Sequence, residues 1–355
     1  MSNANSLPYF APAFRIKVGG QVLEPAQEKS VAELTVTHEL GTSDHFSVVF
    51  TSPYPELPWT HGKDAALFKP GVGVTIEMGY VDDTKLLLSG EVTGLTASFP
   101  PDGASTLRVD GHSRLHRLDG PRRTRTFQEV TDSEIVDKVA QQAGLSSKTD
   151  TTQLKYPYVI QNNQTDLEFL RERADGIDFE LLVEDRTLVF RKSQASSSKS
   201  ISLKWGESLR RFQPTMNSLR PVTEVTVRGY DPKTKKEIVG RAAAGDEETT
   251  MGQRSGAKLV DAAFGSRAEM VVDRLPMSKA EAEARAKAIF NQRMMELITG
   301  DGVSIGDPAL RAGAVVEIAG LGSNFSGLYY IVRSTHSIGP GGYETGFSVR
   351  KNAVS

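Results

Sequence analysis

The chain has 355 residues, enough for two or three domains that each bury a core, so neither metals nor crosslinks are needed for stability. Forty-two Lys and Arg against 44 Asp and Glu leave a formal net charge of -2 with no long basic run, which argues against specific nucleic-acid binding. There is no Cys, which removes disulfide frameworks, thiolate nucleophiles and Cys-ligated zinc together.

The start, MSNANSLPYFAPAF, lacks a charged segment followed by an apolar one, and no run of about 18 apolar residues occurs. The sequence therefore predicts no signal peptide and no membrane insertion; the absence of Cys suits the cytoplasm and leaves later export open. From Phe14 to about Leu118 the pattern is strand-like. Phe14 to Val18, Val31 to Glu39, His45 to Thr51, Val72 to Gly79, Leu86 to Ala97 and Ser105 to His112 alternate apolar with polar residues between Gly and Pro clusters. Short strands at that spacing predict a small β-barrel or sandwich over residues 1–120.

The period then changes. Thr131-Asp132-Ser133-Glu134 is a capping box, followed at helical spacing by Ile135, Val136, Val139 and Ala140 up to Gly144. A second box, Thr165-Asp166-Leu167-Glu168, opens a short helix that stops near Gly176, and Phe179 to Val183 with Thr187 to Arg191 reads as a hairpin. Residues 121–195 thus form a small α+β module. A Ser-rich stretch, Gln194 to Ser200, reads as a linker. Strands return from Ile201, with Val222 to Tyr230 and Glu237 to Arg241 paired around Asp231-Pro232-Lys233-Thr234. Residues 241–267 show little periodicity and read as a long excursion. A third box, Ser278-Lys279-Ala280-Glu281, starts an Ala-rich helix over 278–299, and Ala314 to Arg350 is again strand-rich. Residues 196–355 are therefore read as a second barrel carrying that excursion and that helix. The predicted class is α+β, predominantly β: two similar tube-like barrels with an intervening module.

The two barrels echo each other. Pro70-Gly71-Val72-Gly73-Val74-Thr75-Ile76 lines up with Ala312-Gly313-Ala314-Val315-Val316-Glu317-Ile318, Ser89-Gly90 with Ser326-Gly327, and Leu107 and Val109 with Phe347 and Val349. Two readings fit: unrelated β-domains with similar Gly-turn-strand patterns, or a duplicated barrel. Under the second, three chains offer six similar units, which suits a homotrimer matching a sixfold ring to a threefold object.

Gln161 to Lys192, QNNQTDLEFLRERADGIDFELLVEDRTLVFRK, resembles the central signature of the phage late-control protein D family, which includes the hub portion of VgrG-type spikes. Arg114 to Leu145 resembles the segment before it, and Gly306 to Asn352 the closing barrel. The resemblance spans about Phe14 to Asn352. It implies a trimeric baseplate hub of a contractile injection machine, in a phage tail, tailocin or related system. Its partners would be itself, a tail tube or tube-initiator hexamer, a trimeric spike and baseplate wedge components. Ending at Ser355, the chain lacks the downstream domains of VgrG, so the spike is expected to be a separate polypeptide. The 241–267 stretch has no counterpart in that family pattern.

The residues offer little chemistry. His38, His45, His61, His112, His116 and His336 show no metal-binding spacing, and His336 reads as a satisfied packing or turn residue. Asp82-Asp83, Asp132 with Glu134, and Glu247-Glu248 are the carboxylate pairs a glycosidase would need, but capping or polar turns account for them. Gly300-Asp301-Gly302 and Gly339-Pro340-Gly341-Gly342 read as turns, and Pro121 to Arg125 as a solvated or intersubunit basic patch. No catalytic, cofactor or metal residue is assigned. The alternatives are a tail-associated peptidoglycan hydrolase and a glycan-binding tail component, the latter resting on Tyr9, Tyr54 and Trp59.

Overall fold

The computed structural model describes residues 11–52, 67–199 and 201–354. His61, Tyr9, Tyr54 and Trp59 lie outside them.

The first half contains strands β1 (Pro12–Val18), β2 (Gln21–Val22), β3 (Val31–Glu39), β4 (His45–Ser52), β5 (Gly73–Tyr80), β6 (Asp83–Ser98) and β7 (Ser105–Ser113), with a one-turn helix α1 (Pro25–Lys29) before β3. Its strands alternate a buried apolar face with a polar one, as a two-residue period requires. Ile16, Leu34, Phe46, Val74, Ile76, Leu88 and Val109 share one core.

The module follows as β8 (Arg123–Val130), α2 (Asp132–Gln142), β9 (Ser146–Thr149), β10 (Tyr156–Gln164), α3 (Asp166–Asp175), β11 (Phe179–Glu184) and β12 (Thr187–Lys192). Both predicted capping boxes are present: Thr131 accepts from Glu134 N–H and Thr165 from Glu168 N–H, while each Glu reaches back to the cap. The helices bury Ile135, Val136, Val139, Phe169 and Leu170 against the β11–β12 hairpin. Strands β8 and β10, which pair antiparallel, carry no apolar alternation strong enough to announce them.

The last part runs β13 (Ile201–Lys204), β14 (Leu209–Met216), β15 (Glu224–Asp231), β16 (Lys236–Ala243), β17 (Arg254–Ser255), α4 (Gly256–Phe264), β18 (Ala268–Val271), α5 (Lys279–Met294), β19 (Ile298–Ile305), β20 (Val315–Ala319), α6 (Gly322–Phe325), β21 (Gly327–Gly339), β22 (Gly342–Lys351) and β23 (Ala353–Val354). The stretch read as an excursion is thus structured. It holds α4, with Ala257 and Val260 buried, and leads to β18, which pairs parallel with β15. Helix α5 ends at Met294, short of the predicted end, because Ile298 to Ile305 is a central strand between β14 and β22. Gly300-Asp301-Gly302 therefore lies in mid-strand, not in a turn. The Cβ space of Gly302 is filled by the Phe347 ring and that of Gly300 is closed by Phe212. Gly339 and Gly342 do flank the turn joining β21 to β22.

The two halves repeat strand for strand. The first is ordered β1-β5-β6-β7-β4-β3 and the second β13-β20-β21-β22-β19-β14. Irregularities coincide as well. The long strand of each half is bulged against its neighbour, between Val92 and Gly94 and between Ile331 and Arg333. The last strand is bulged between Val31 and Glu33 in one half and between Leu209 and Arg211 in the other. Bulges are specific features of a ladder, so two coincident pairs mark a repeated design. Gly71 and Gly313 both take positive φ, +85° and +83°, in the same turn. Their N–H groups donate to Val92 O and Ile331 O, and Val92 and Ile331 donate back to Val72 O and Ala314 O. Among the described residues the two sets differ at the outer strand: β1 pairs antiparallel with β5 and also carries β2, whereas β13 pairs parallel with β20.

Gly73 pairs with Glu91 as Val315 pairs with Tyr330, so the first block of the sequence echo is in true register. The later blocks are not. The ladder makes Val349 the counterpart of Gly111, and Phe347 that of Val109. Strand pairing, not the Ser-Gly pairs, sets the register. The two halves keep separate cores but are joined edge to edge: β3 pairs with β21, so both belong to one 13-stranded sheet.

Candidate assembly interface

The seam between the halves is the ladder from Arg333↔Glu39 through Thr335↔Thr37 to Ile338↔Leu34. It exists because β21 is longer than its first partner. Strand β20 takes Gly327 to Tyr330 on one edge, and beyond the bulge the same edge is left for β3. On one face the Thr37 and Thr335 hydroxyls meet at 3.1 Å. On the other, His336 is fully buried, with Nε2 at 3.0 Å from the Leu310 carbonyl and Nδ1 at 2.9 Å from Tyr343 Oη and 3.1 Å from Thr345 Oγ1. A carbonyl only accepts, so Nε2 carries the proton and Nδ1 accepts from a hydroxyl. Burial, then His38 and Arg311, hold its pKa well below the usual imidazole range. His336 is the packing residue the sequence suggested. Side-chain bonds also cross between the halves: Arg311 donates to Leu86 O at 2.5 Å and Leu87 O at 2.6 Å, and Tyr80 Oη to Gly306 O at 2.9 Å.

The face of the sheet opposite the cores is polar and rich in hydroxyls, with Thr35, Ser47, Thr96, Ser337 and Ser348 along it and charges of both signs such as Arg108, Asp110 and Asp301. His45, His112 and His116 form a row, with successive ring centroids 6.2 Å apart. Burial and then the neighbouring His45 lower the His112 pKa. Among the described residues no group of three or more His, Asp or Glu is placed to hold a metal ion.

Each half anchors the module at an equivalent position of its long strand. Glu91 is buried and accepts from Arg114 Nε at 3.2 Å and Arg117 Nε at 3.0 Å, while Arg114 also bonds Asp185 of the β11–β12 turn at 2.7 Å. Burial raises the Glu91 pKa, but the two guanidiniums outweigh it and hold the carboxyl below its usual range. In the second half Tyr330 donates to Glu180, which also accepts from Arg191 Nε at 3.1 Å.

The basic patch is neutralised within the module. Arg122 bonds Glu168, and Arg123 and Arg125 both face Asp166, at the N-terminus of α3. Of the carboxylate pairs, Asp132 is buried and taken by Arg173 Nε at 2.6 Å and Tyr156 Oη at 3.1 Å, whereas Glu134 caps α2. Asp83 pairs with Lys85 and Glu248 with Lys287. No motif marks Asp178, which burial pushes up to about 6 and to which Asn291 of α5 donates at 2.8 Å.

The family described as the Alg8 N-terminal domain matches residues 11–339. The chain belongs to that family. No curated protein matches it in sequence. Among solved structures, the chain is similar to the 43 kDa tail protein of prophage MuSo2 from Shewanella oneidensis, with a TM-score of 0.71, 15% identity, 97% of this chain covered and 100% of the other. A tail protein from Neisseria meningitidis MC58 follows, with a TM-score of 0.70, 14% identity and coverage of 96% and 97%. The E. coli c3393 protein, described as a component of the type VI secretion system with structural similarity to T4 tail proteins, gives a TM-score of 0.59 at 13% identity, over 95% of this chain and 77% of that one. The fold is therefore that of tail and secretion-system structural proteins.

Proposed function

We propose that the chain is the trimeric baseplate hub of a contractile injection machine, of the late-control protein D and VgrG type, joining a sixfold tail tube to a threefold spike. The observation that carries this reading is the strand-for-strand repetition of the two halves, down to paired bulges. Three copies present six nearly equivalent sheets to a sixfold ring and a single threefold axis to a spike, so one chain resolves the symmetry mismatch. The module and the α5 layer, which differ between the two halves of the chain, supply what is threefold only. Residues 1–120 and 196–355 would be the two tube-like units and 121–195 the part between them.

The joint is built to carry load. The two halves are connected through the backbone ladder of the seam and through the Arg311 and Tyr80 bonds, and each is pinned to the module by a buried carboxylate. A catalytic role has no support from the carboxylates, each of the three pairs having a member engaged in a cap or an ion pair. Mixing the purified chain with its tube and spike proteins tests the reading. Negative-stain averages should show it between tube end and spike, and incubation with peptidoglycan should release no fragments. A chain that joins neither partner, or that solubilises cell wall, contradicts it.

A further inference from the structure

The internal seam is a template that the sheet uses once and leaves open a second time. Running across the strands, Val36, Phe46, Gly111 and Val92 stand opposite one another in turn in the first half, and Pro214, Gly300, Val349 and Ile331 in the second. Strand β14 is thus the counterpart of β3, and β6 that of β21. Within the chain β3 is added to β21, but the corresponding edges are unpaired among the described residues. Strand β14 bonds only β19, and β6 beyond Val92 bonds only β7.

The side chains on these edges repeat the seam. Thr335 and Thr37, whose hydroxyls bond across it, correspond to Thr96 and Thr215, both again threonine. Ile338 opposite Leu34 corresponds to Phe99 and Phe212, and Ser334 opposite His38 to Leu95 and Met216. Leu95 and Phe99 are 43% and 59% exposed, whereas Ser334, the counterpart of Leu95, is 0% exposed. An open edge flanked by uncovered apolar side chains is a template for another chain. Pro214 has no N–H to offer on the open edge, so a strand added there forms one ladder bond fewer than the internal seam.

We propose that residues 94–99 of one copy add antiparallel to residues 212–217 of the next, with Thr96 opposite Thr215, Leu95 against Met216 and Phe99 against Phe212. The contact joins two different edges, so it is head to tail, and in the proposed trimer three such contacts close the ring. It rests on the hub reading and supplies its missing interface.

The absence of native cysteine makes the test direct. Directly opposed residues in an antiparallel pair lie about 4.5–5.5 Å apart at Cα, within disulfide range. Thr96→Cys/Thr215→Cys should give reductant-sensitive covalent dimers and trimers on mild oxidation, and either single variant none. Thr37→Cys/Thr335→Cys, at the internal seam, should close within one chain and so certifies fold and geometry. A trimer by native mass whose control closes but whose Thr96/Thr215 variant stays uncrosslinked overturns this register and leaves the hub reading standing. A chain that stays monomeric with tube and spike proteins present overturns both.

Discussion

Acidification should weaken the seam through His336, with a sign and size that the geometry fixes. The imidazole is fully buried, its Nε2–H donates to Leu310 O, and its Nδ1 accepts from a hydroxyl, so the neutral ring is satisfied and a second proton would bring an unpaired charge beside Arg311. The folded pKa lies below the unfolded one. Stability is therefore complete above about pH 6.5 and falls as pH drops below it, because the unfolded chain takes up a proton that the native ring refuses. One proton of difference is worth about 1.4 kcal/mol per pH unit. Asp178 works in the opposite direction: its folded pKa is raised to about 6, so the folded chain gains relative stability as pH falls through that value. Wild-type acid sensitivity alone is thus a mixture. The informative quantity is the difference between wild type and His336→Gln in urea unfolding free energy, followed from pH 7 to pH 5. Wild type should lose about 1–1.4 kcal/mol per unit more than the variant below pH 6. Parallel curves would refute the buried neutral ring.

Asp178→Asn should raise stability at pH 7 by about 1–3 kcal/mol, since a carboxylate held near 6 carries its burial penalty fully ionised there and an amide oxygen still accepts from Asn291. The gain should vanish by pH 4, read from the same urea titrations. Gly240→Ala should destabilise by about 1–3 kcal/mol or more, because its Cβ would overlap the Ala282 backbone of α5 and force the helix off β16. A thermal shift of less than a degree would show that the contact is looser than described. Glu91→Gln should loosen the joint between first half and module by about 2 kcal/mol, the value for a buried pair reduced because Arg117 is partly in water. Limited proteolysis around residues 114–122 should then accelerate, and an unchanged pattern would assign the anchor to other contacts.

Much of this architecture was legible because its signals are local. Two complete capping boxes placed α2 and α3, and Ser278 caps α5, although Glu281 there accepts from Met277 N–H and not from the cap itself. Two-residue alternation placed the strands of the first half. The Gly71 and Gly313 turns exposed the duplication, since both need a left-handed backbone. What was hidden is non-local. Strands β8 and β10 bury Phe127, Val130, Tyr156 and Val159 at irregular spacing and not at every second residue, so only their pairing reveals them. Helix α4 has no side-chain cap bond to mark its start. The run through Thr299 and Gly300 looks like a fraying helix end until two neighbouring strands claim it. The seam was illegible for the same reason, because nothing near β3 in sequence says that its edge belongs to β21.

Native mass spectrometry of the chain with its tube and spike proteins decides whether it is a threefold adaptor. A species of three times 38.6 kDa, carrying one spike trimer and seated on one tube ring, is the predicted result. A twofold dimer, or a 38.6 kDa monomer that binds neither partner, would contradict it.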